Sequence, residues 1–259
     1  MDIQDVLEIF DREQRKEVML PGMRREETAN VIRMIPDKKN EGMIIYSHLP
    51  NKKIEDVILS EIGYFSKLGM DFEWKAYRHD QPEGLNALLA NMGFEVETPD
   101  SVMVYDLAEA PAWVHEDISP GIRRITSSEE VERVLTVQRK VWDEELPNLV
   151  SYLRLQLNQY PDLISIFAAY DNKTPVSSAW TTYYPGSQFA GLWGGSTLPD
   201  FRKQGYYSSL LKIRMQEAMQ RGVRYLTVDA SPMSRPILEN FGFQCITHAW
   251  RCVWRVNQN

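Results

Sequence analysis

The stretch from Leu192 to Phe243 constrains the fold more than any other part of the chain: it reads as a strand, a tight turn, a helix, a second strand and a short second helix. Leu192 to Leu198 forms a strand that closes at Pro199, because proline has no N–H to give to a ladder. Arg202-Lys203-Gln204-Gly205 is the turn. From Ser208 to Arg221 there is no Gly or Pro, and Leu211, Met215 and Ala218 recur at i, i+4 and i+7, which predicts a helix with one apolar face that Gly222 ends. A helix that follows a glycine-containing turn presents unpaired N–H groups at the positive end of its dipole, so this junction is a candidate anion site where Gly205 lets the backbone approach a ligand. The chain has no G-x-x-x-x-G-K-[ST] run, which excludes a nucleotide P-loop.

Leu198 to Gly205 (LPDFRKQG) resembles the acyl-CoA pyrophosphate loop of the GNAT superfamily of N-acetyltransferases, whose pattern Q/R-x-x-G-x-G/A lies at a strand–helix junction. Arg202 and Gly205 match its first two marked positions, and the third is Tyr207, as in a subgroup with runs such as LPEYRGRGVYRAL followed by ASPMSxPIL. Ser231 to Phe243 (SPMSRPILENFGF) resembles the family's second block, N-x-x-A-x-x-L-Y-x-K-x-G-F. The resemblance implies an α/β chain with a mixed sheet (α+β), the GNAT acyl-CoA N-acyltransferase fold. It also implies acetyl-CoA as co-substrate, held by Thr197, Leu198, Arg202, Lys203, Gln204, Gly205, Tyr206, Tyr207 and Ser231, with no metal.

The first 110 residues repeat the order of the second half. An amphipathic helix carrying Val6, Ile9 and Phe10 opens the chain, followed by a strand at Met43 to Ser47, a helix from Ile54 to Lys67, a strand at Phe72 to Tyr77 and a helix from Leu85 to Met92. Leu88 to Phe94 (LLANMGF) aligns with Ile237 to Phe243 (ILENFGF), Leu49-Pro50 mirrors Leu198-Pro199, and Gly69 mirrors Gly222. This is an internal duplication, a tandem arrangement. Pro50 to Gly69 is 19 positions against 23 from Pro199 to Gly222, so the first copy is shorter where the second carries Arg202 to Gly205, and it is expected to be a degenerate lobe without a phosphate loop. Ala108 to Gly121 carries two prolines, Pro111 and Pro120, amid mixed polarity and reads as a linker. The expected organisation is therefore a degenerate lobe over 1–110, a linker over 111–120 and an acetyltransferase domain over 121–259.

Within that domain, residues 121–125 read as a strand, Ser127 or Ser128 caps a helix that runs to about Trp142, Asp143 to Pro147 breaks it, and a second helix runs from Asn148 to about Tyr160. Strands at Leu163 to Tyr170, Val176 to Tyr184 and Gln188 to Leu198 form a meander leading into the loop. A net charge of −7 with pI near 5.3 argues against a nucleic-acid binder. The absence of a signal peptide or membrane-length apolar run makes the cytoplasm the expected location. Cys245 and Cys252 are too few for a zinc site or a disulfide framework and are expected reduced in a terminal hairpin, and the four histidines are scattered.

Acyl transfer to an amine needs a polarised carbonyl, a base for the amine and an acid for the departing thiolate. The resemblance places a polarising backbone N–H near Thr197. Gln188 to Leu198 has no carboxylate for the base found there in many relatives, which leaves Asp143, Glu144 and Glu145 in the helix break, and Asp229 after the second strand. Leu238 stands at the family's usual Tyr acid position, which leaves Tyr206, Tyr207, Ser231, Ser234 or solvent. Trp180, Tyr183, Tyr184 and Trp193 either wall an acceptor pocket or pack the sheet. The expected activity is direct attack of an amine, a small-molecule acceptor, on acetyl-CoA. The alternatives are a non-catalytic acyl-CoA-binding module and a first lobe that binds a partner or a second copy as a homodimer, with a protein as the acceptor.

Overall fold

The computed structural model describes residues 1–37, 41–49, 53–118 and 121–256, so Pro50 of the internal repeat and the end of the expected linker lie outside the described residues. In chain order the first elements are α1 (Ile3–Phe10), β1 (Met23–Glu27), β2 (Val31–Pro36), β3 (Gly42–Ser47), α2 (Ile54–Lys67), β4 (Phe72–Tyr77), α3 (Leu85–Asn91), β5 (Glu95–Val96) and β6 (Asp100–Asp106). Then come β7 (Ile122–Ile125), α4 (Ser128–Trp142), α5 (Pro147–Gln159), β8 (Ile164–Asp171), β9 (Thr174–Tyr183) and β10 (Phe189–Thr197). The last are α6 (Tyr206–Gln220), β11 (Tyr225–Ala230), α7 (Arg235–Asn240) and β12 (Gln244–Trp254). Two compact units result: Met1–Val104 with Asp229–Asn259, and Tyr105–Val228.

In the first unit the strands run β1-β2-β3-β4-β12-β6, with β5 also on β12. The β3–α2–β4 crossover is parallel, and Phe65 of α2 stacks on Phe72 of β4 at 4.2 Å between ring centroids, beside buried Trp74 and Phe94. The cysteines lie in no hairpin: Cys245 and Cys252 both sit on the single strand β12, which pairs with β4 and β6. Its position is fixed by Arg251, which reaches Glu73 at 3.1 Å and Glu97 at 2.5 Å and also pairs with Glu41. Beneath α1, the buried Arg15 guanidinium pairs with Asp80 at 2.6 Å and Asp11 at 2.7 Å and lies 4.0 Å from the Tyr77 ring centroid. The two carboxylates and the aromatic face compensate its desolvation.

In the second unit the order is β11-β10-β9-β8-β7. α4 and α5 cover one face through Val131, Val134, Leu135, Val150 and Leu153. On the other face Leu210 of α6 packs with Phe167, Ala169 and Ala179. Leu211, Met215 and Ala218 are all buried, as their spacing predicts, and each such side chain contributes up to about 1.5–3 kcal/mol in removed apolar surface, alanine less. The far end of α6 is pinned to the sheet by Glu217, which accepts from Ser165 Oγ at 2.8 Å and Arg124 Nη1 at 2.7 Å. Ala112–His115 forms a 3₁₀ turn with Val114 buried, and the Val114 carbonyl accepts from Gln216 Nε2 of α6 at 2.6 Å.

The repeat has a structural counterpart: β3–α2–β4 then α3, and β10–α6–β11 then α7, with parallel pairing in both crossovers. From the Leu-Pro proline to the helix start is four positions in the first copy (50 to 54) and seven in the second (199 to 206); the helices have 14 and 15 residues. Most of the missing length is therefore missing from the loop.

Candidate active site

The site in the second unit begins with the strand β10. Opposite β9 it keeps regular register to Trp193↔Trp180 and resumes at Ser196↔Ser178, three steps on one strand against two on the other. The extra residue is a bulge at Gly194-Gly195. Gly194 takes φ +59, and a Cβ there would lie 1.8 Å from the Trp180 ring, so both the backbone angle and the space demand glycine. On its other side β10 pairs with β11 through Phe189–Gly191 opposite Tyr225–Thr227, leaving Leu192–Thr197 outside that parallel ladder. Leu198 N–H donates to Val176 O of β9 at 2.9 Å. Strand alternation therefore turns the Thr197 N–H away from β9, toward the side where the parallel ladder has ended.

A 3₁₀ turn at Pro199–Phe201 leads into the loop, in which Arg202, Lys203, Gln204 and Gly205 are all exposed. Arg202 Nε donates to Thr197 O at 3.2 Å and Gln204 Nε2 to Asp200 O at 2.9 Å, which hold the loop against the end of β10. Lys203 (φ +61) and Gly205 (φ +85) are left-handed, so the chain turns sharply into α6. Gly205 is the N-cap, and no side chain caps the helix. Ser209 N–H closes the first helical bond onto Gly205 O at 2.9 Å, so the first turn of α6 opens directly behind Gly205 with its N–H groups at the positive end of the helix dipole. A Cβ on Gly205 would meet nothing nearer than Ser208 Oγ at 3.9 Å, so the space over this N-terminus is open. A helix N-terminus with no side-chain cap, its dipole and the two exposed cations Arg202 and Lys203 fit a diphosphate.

Tyr207 comes next. Its ring lies against β10, 3.0 Å from where a Cβ on Gly195 would be, so the large third position of the loop is accommodated by a glycine of the bulge. Burial pushes the Tyr207 phenol above its ordinary pKa, and the Arg214 guanidinium pulls it partway back. Arg214, two turns further along α6, is only 2% exposed and donates Nε to Leu210 O at 3.0 Å. Tyr206 meets Phe201 edge-on at 6.1 Å.

The other candidates are placed as follows. Glu144 is exposed on the bend between α4 and α5, flanked by Asp143 (φ 56) and Leu146 (φ 50), two left-handed residues that make this corner sharp. Of the aromatic residues, Trp180 and Tyr183 are buried packing, the latter with the Arg221 guanidinium 4.0 Å from its ring centroid. Trp193 is 38% exposed and folds over Gly191 beside the Tyr184 hydroxyl.

Asp229 and Ser231 belong to the first unit. The Asp229 carboxylate pairs with Lys75 Nζ of β4. Burial alone would lower the Lys75 pKa, but Asp229 and neighbouring Tyr77 and Glu73 hold it well above the usual ammonium range. Ser231 Oγ accepts from Ser234 N–H at 3.3 Å and so caps the turn into α7, where Leu238 is core, 2% exposed.

Reading the sequence missed Gln138. This α4 residue is 1% exposed, and its carboxamide bonds Gly194 O at 2.5 Å, Ser178 Oγ at 2.9 Å, Ser196 Oγ at 3.0 Å and Trp142 Nε1 at 3.2 Å. A sign was present: Gln138 falls on the apolar stripe of Val131, Val134 and Leu135, where a polar residue needs partners. Among the described residues no group of three or more His, Cys, Asp or Glu side chains is placed to hold a metal ion, and no helix is long and apolar enough to cross a membrane.

Residues 130–243 match the family described as Acetyltransferase (GNAT) family. Among curated proteins no sequence matches. Similar solved structures include a GCN5-related N-acetyltransferase from Kribbella flavida (14% identity, 96% of this chain and 93% of that one, TM-score 0.66). A tandem GNAT protein from the clavulanic acid biosynthesis pathway is also similar (12% identity, 93% and 86%, TM-score 0.61). So is a GCN5-related N-acetyltransferase from Sphaerobacter thermophilus (10% identity, 88% and 77%, TM-score 0.60). At these identities the likeness is one of fold.

Proposed function

We propose that the chain, whose residues 130–243 match the GNAT acetyltransferase family, transfers the acetyl group of acetyl-CoA to the amine of a small molecule. One observation carries this reading: the uncapped N-terminus of α6, behind Gly205 at φ +85, lies at the end of a bulged strand whose Thr197 N–H points out of the ladder. The N-terminal turn of α6 with Arg202 and Lys203 holds the diphosphate, and Gln204 braces the loop through Asp200. Bound there, acetyl-CoA supplies an activated thioester carbonyl. Thr197 N–H donates to the oxygen of that carbonyl, a preorganised dipole of the kind worth about 3–4 kcal/mol in a transition state.

Tyr207, a phenol protonated at neutral pH whose pKa burial raises further, gives its proton to the departing thiolate. For the acceptor ammonium we favour Glu144 over Asp229 as base, because Asp229 is the counter-ion of Lys75 while Glu144 is exposed at the α4–α5 corner. Attack is direct. The test is thiol release from acetyl-CoA over a panel of small amines: release that depends on one class of amine supports the reading, and binding without release to any amine contradicts it.

A further inference from the structure

We propose that Gln138 is the positioning residue that holds the β10 bulge in register and so aims the Thr197 N–H at the acyl carbonyl; the inference rests on the acetyltransferase reading above. A buried carboxamide is costly unless its donors and acceptor are all used, and here they are. Nε2 donates to Gly194 O at 2.5 Å and Ser178 Oγ at 2.9 Å, while Oε1 accepts from Ser196 Oγ at 3.0 Å and Trp142 Nε1 at 3.2 Å. The orientation of the amide is set twice over, because a carbonyl can only accept and an indole N–H can only donate.

The partners are what give these bonds a function. Gly194 is the left-handed residue of the bulge, and Ser196↔Ser178 is the first regular pair after it. Gln138 therefore grips a carbonyl inside the bulge and both members of the pair at which the ladder resumes. From that pair, alternation sends Leu198 N–H to Val176 O at 2.9 Å and Thr197 N–H outward. A slip of one residue would reverse the two, burying the Thr197 N–H in the ladder.

The experiment binds acetyl-CoA labelled with ¹³C at the thioester carbonyl to the full chain and records the isotope-edited infrared carbonyl band. For wild type a band shifted down from free acetyl-CoA is expected. Gln138→Met, which keeps the shape without hydrogen bonds, returns the band toward the free position and lowers kcat by about 10-fold or more, by analogy with loss of an oxyanion donor. Its affinity for CoA, which lacks the carbonyl, stays within about threefold, since the α6 N-terminus that holds the diphosphate is untouched. Gln138→Glu keeps both acceptor bonds and sets a carboxylate against Gly194 O, and it shifts the band even if the Met variant does not fold. A wild-type band position and kcat in Gln138→Met or Gln138→Glu would overturn the positioning role alone, as would an unshifted band in the wild-type complex. Wild-type protein that bound neither CoA nor acetyl-CoA would overturn the acetyltransferase reading, and this inference with it.

Discussion

Replacing Gly194 by alanine tests whether the bulge is dictated by sterics. The left-handed backbone at φ +59 costs an L-residue about 1–2 kcal/mol. The added Cβ would lie 1.8 Å from the ring of Trp180, a side chain packed in the α4–α5 core, so relief requires moving a tryptophan or opening the bulge. Overpacking of this kind costs about 1–3 kcal/mol, which brings the total to roughly 2–5 kcal/mol. For a chain of this size each kcal/mol lowers Tm by about 2–4 °C, so a loss of about 3 kcal/mol shifts Tm by roughly 6–12 °C. Gly186→Ala is the matched control: it lies in the turn before β10 with φ +78, and nothing stands within 4 Å of its Cβ, so it carries the backbone cost alone. Thermal unfolding followed by near-UV circular dichroism compares the two variants. Equal losses from both would refute the argument that Trp180 occupies the space required.

Lys75→Met leaves the Asp229 carboxylate without its counter-ion and is expected to lower stability by about 2–3 kcal/mol, less than a fully buried pair because both side chains keep some solvent. The Lys75 pKa is raised in the folded state, so the pair's contribution is complete below the ordinary ammonium value of 10.5 and is lost as pH rises through the higher folded value. The stability gap between wild type and Lys75→Met, measured by urea titration at several pH values, should therefore narrow above pH 10.5; a constant gap would contradict it. Burial pushes the Cys252 thiol up to about 12, so in native protein an aromatic disulfide reagent should modify Cys245 and spare Cys252, which becomes reactive when urea unfolds the chain. Two equally fast thiols in the native state would show that β12 is not held where the structure puts it.

The strand–loop–helix at the centre of the site was legible because its signals are local. The sequence predicts a strand over Leu192 to Leu198 and a helix from Ser208, and the structure has β10 at Phe189–Thr197 and α6 from Tyr206, two residues earlier because Gly205 at φ +85 caps it directly. The internal repeat was readable for the same reason, from Leu-Pro and Gly-Phe punctuation. What stayed hidden depends on partners far away in sequence. β1 is Met-Arg-Arg-Glu-Glu, a charged strand without apolar alternation, whose ion pairs such as Arg25–Glu27 at 2.8 Å run along the strand. The pairing of β12 with β4 joins residues some 170 positions apart, Ala249 with Tyr77, and no local pattern announces it. Gln138 looks like an ordinary helix residue until Gly194, Ser178, Ser196 and Trp142 are brought around it. Leu238 is core, and the packing of the Tyr207 ring against Gly195 of the bulge is another contact that no local pattern announces.

The central claim is that the open N-terminus of α6 holds the diphosphate of acetyl-CoA, and calorimetric titration of acetyl-CoA into wild type and Gly205→Glu tests it most directly. The space around Gly205 is free, so a side chain there meets only the cost of the left-handed backbone at φ +85, about 1–2 kcal/mol, which Gly205→Ala carries alone and serves to control, while Gly205→Glu also places a carboxylate at the helix N-terminus. The account predicts saturable binding to wild type that is abolished in Gly205→Glu. Equal binding to both would contradict it and place the cofactor elsewhere.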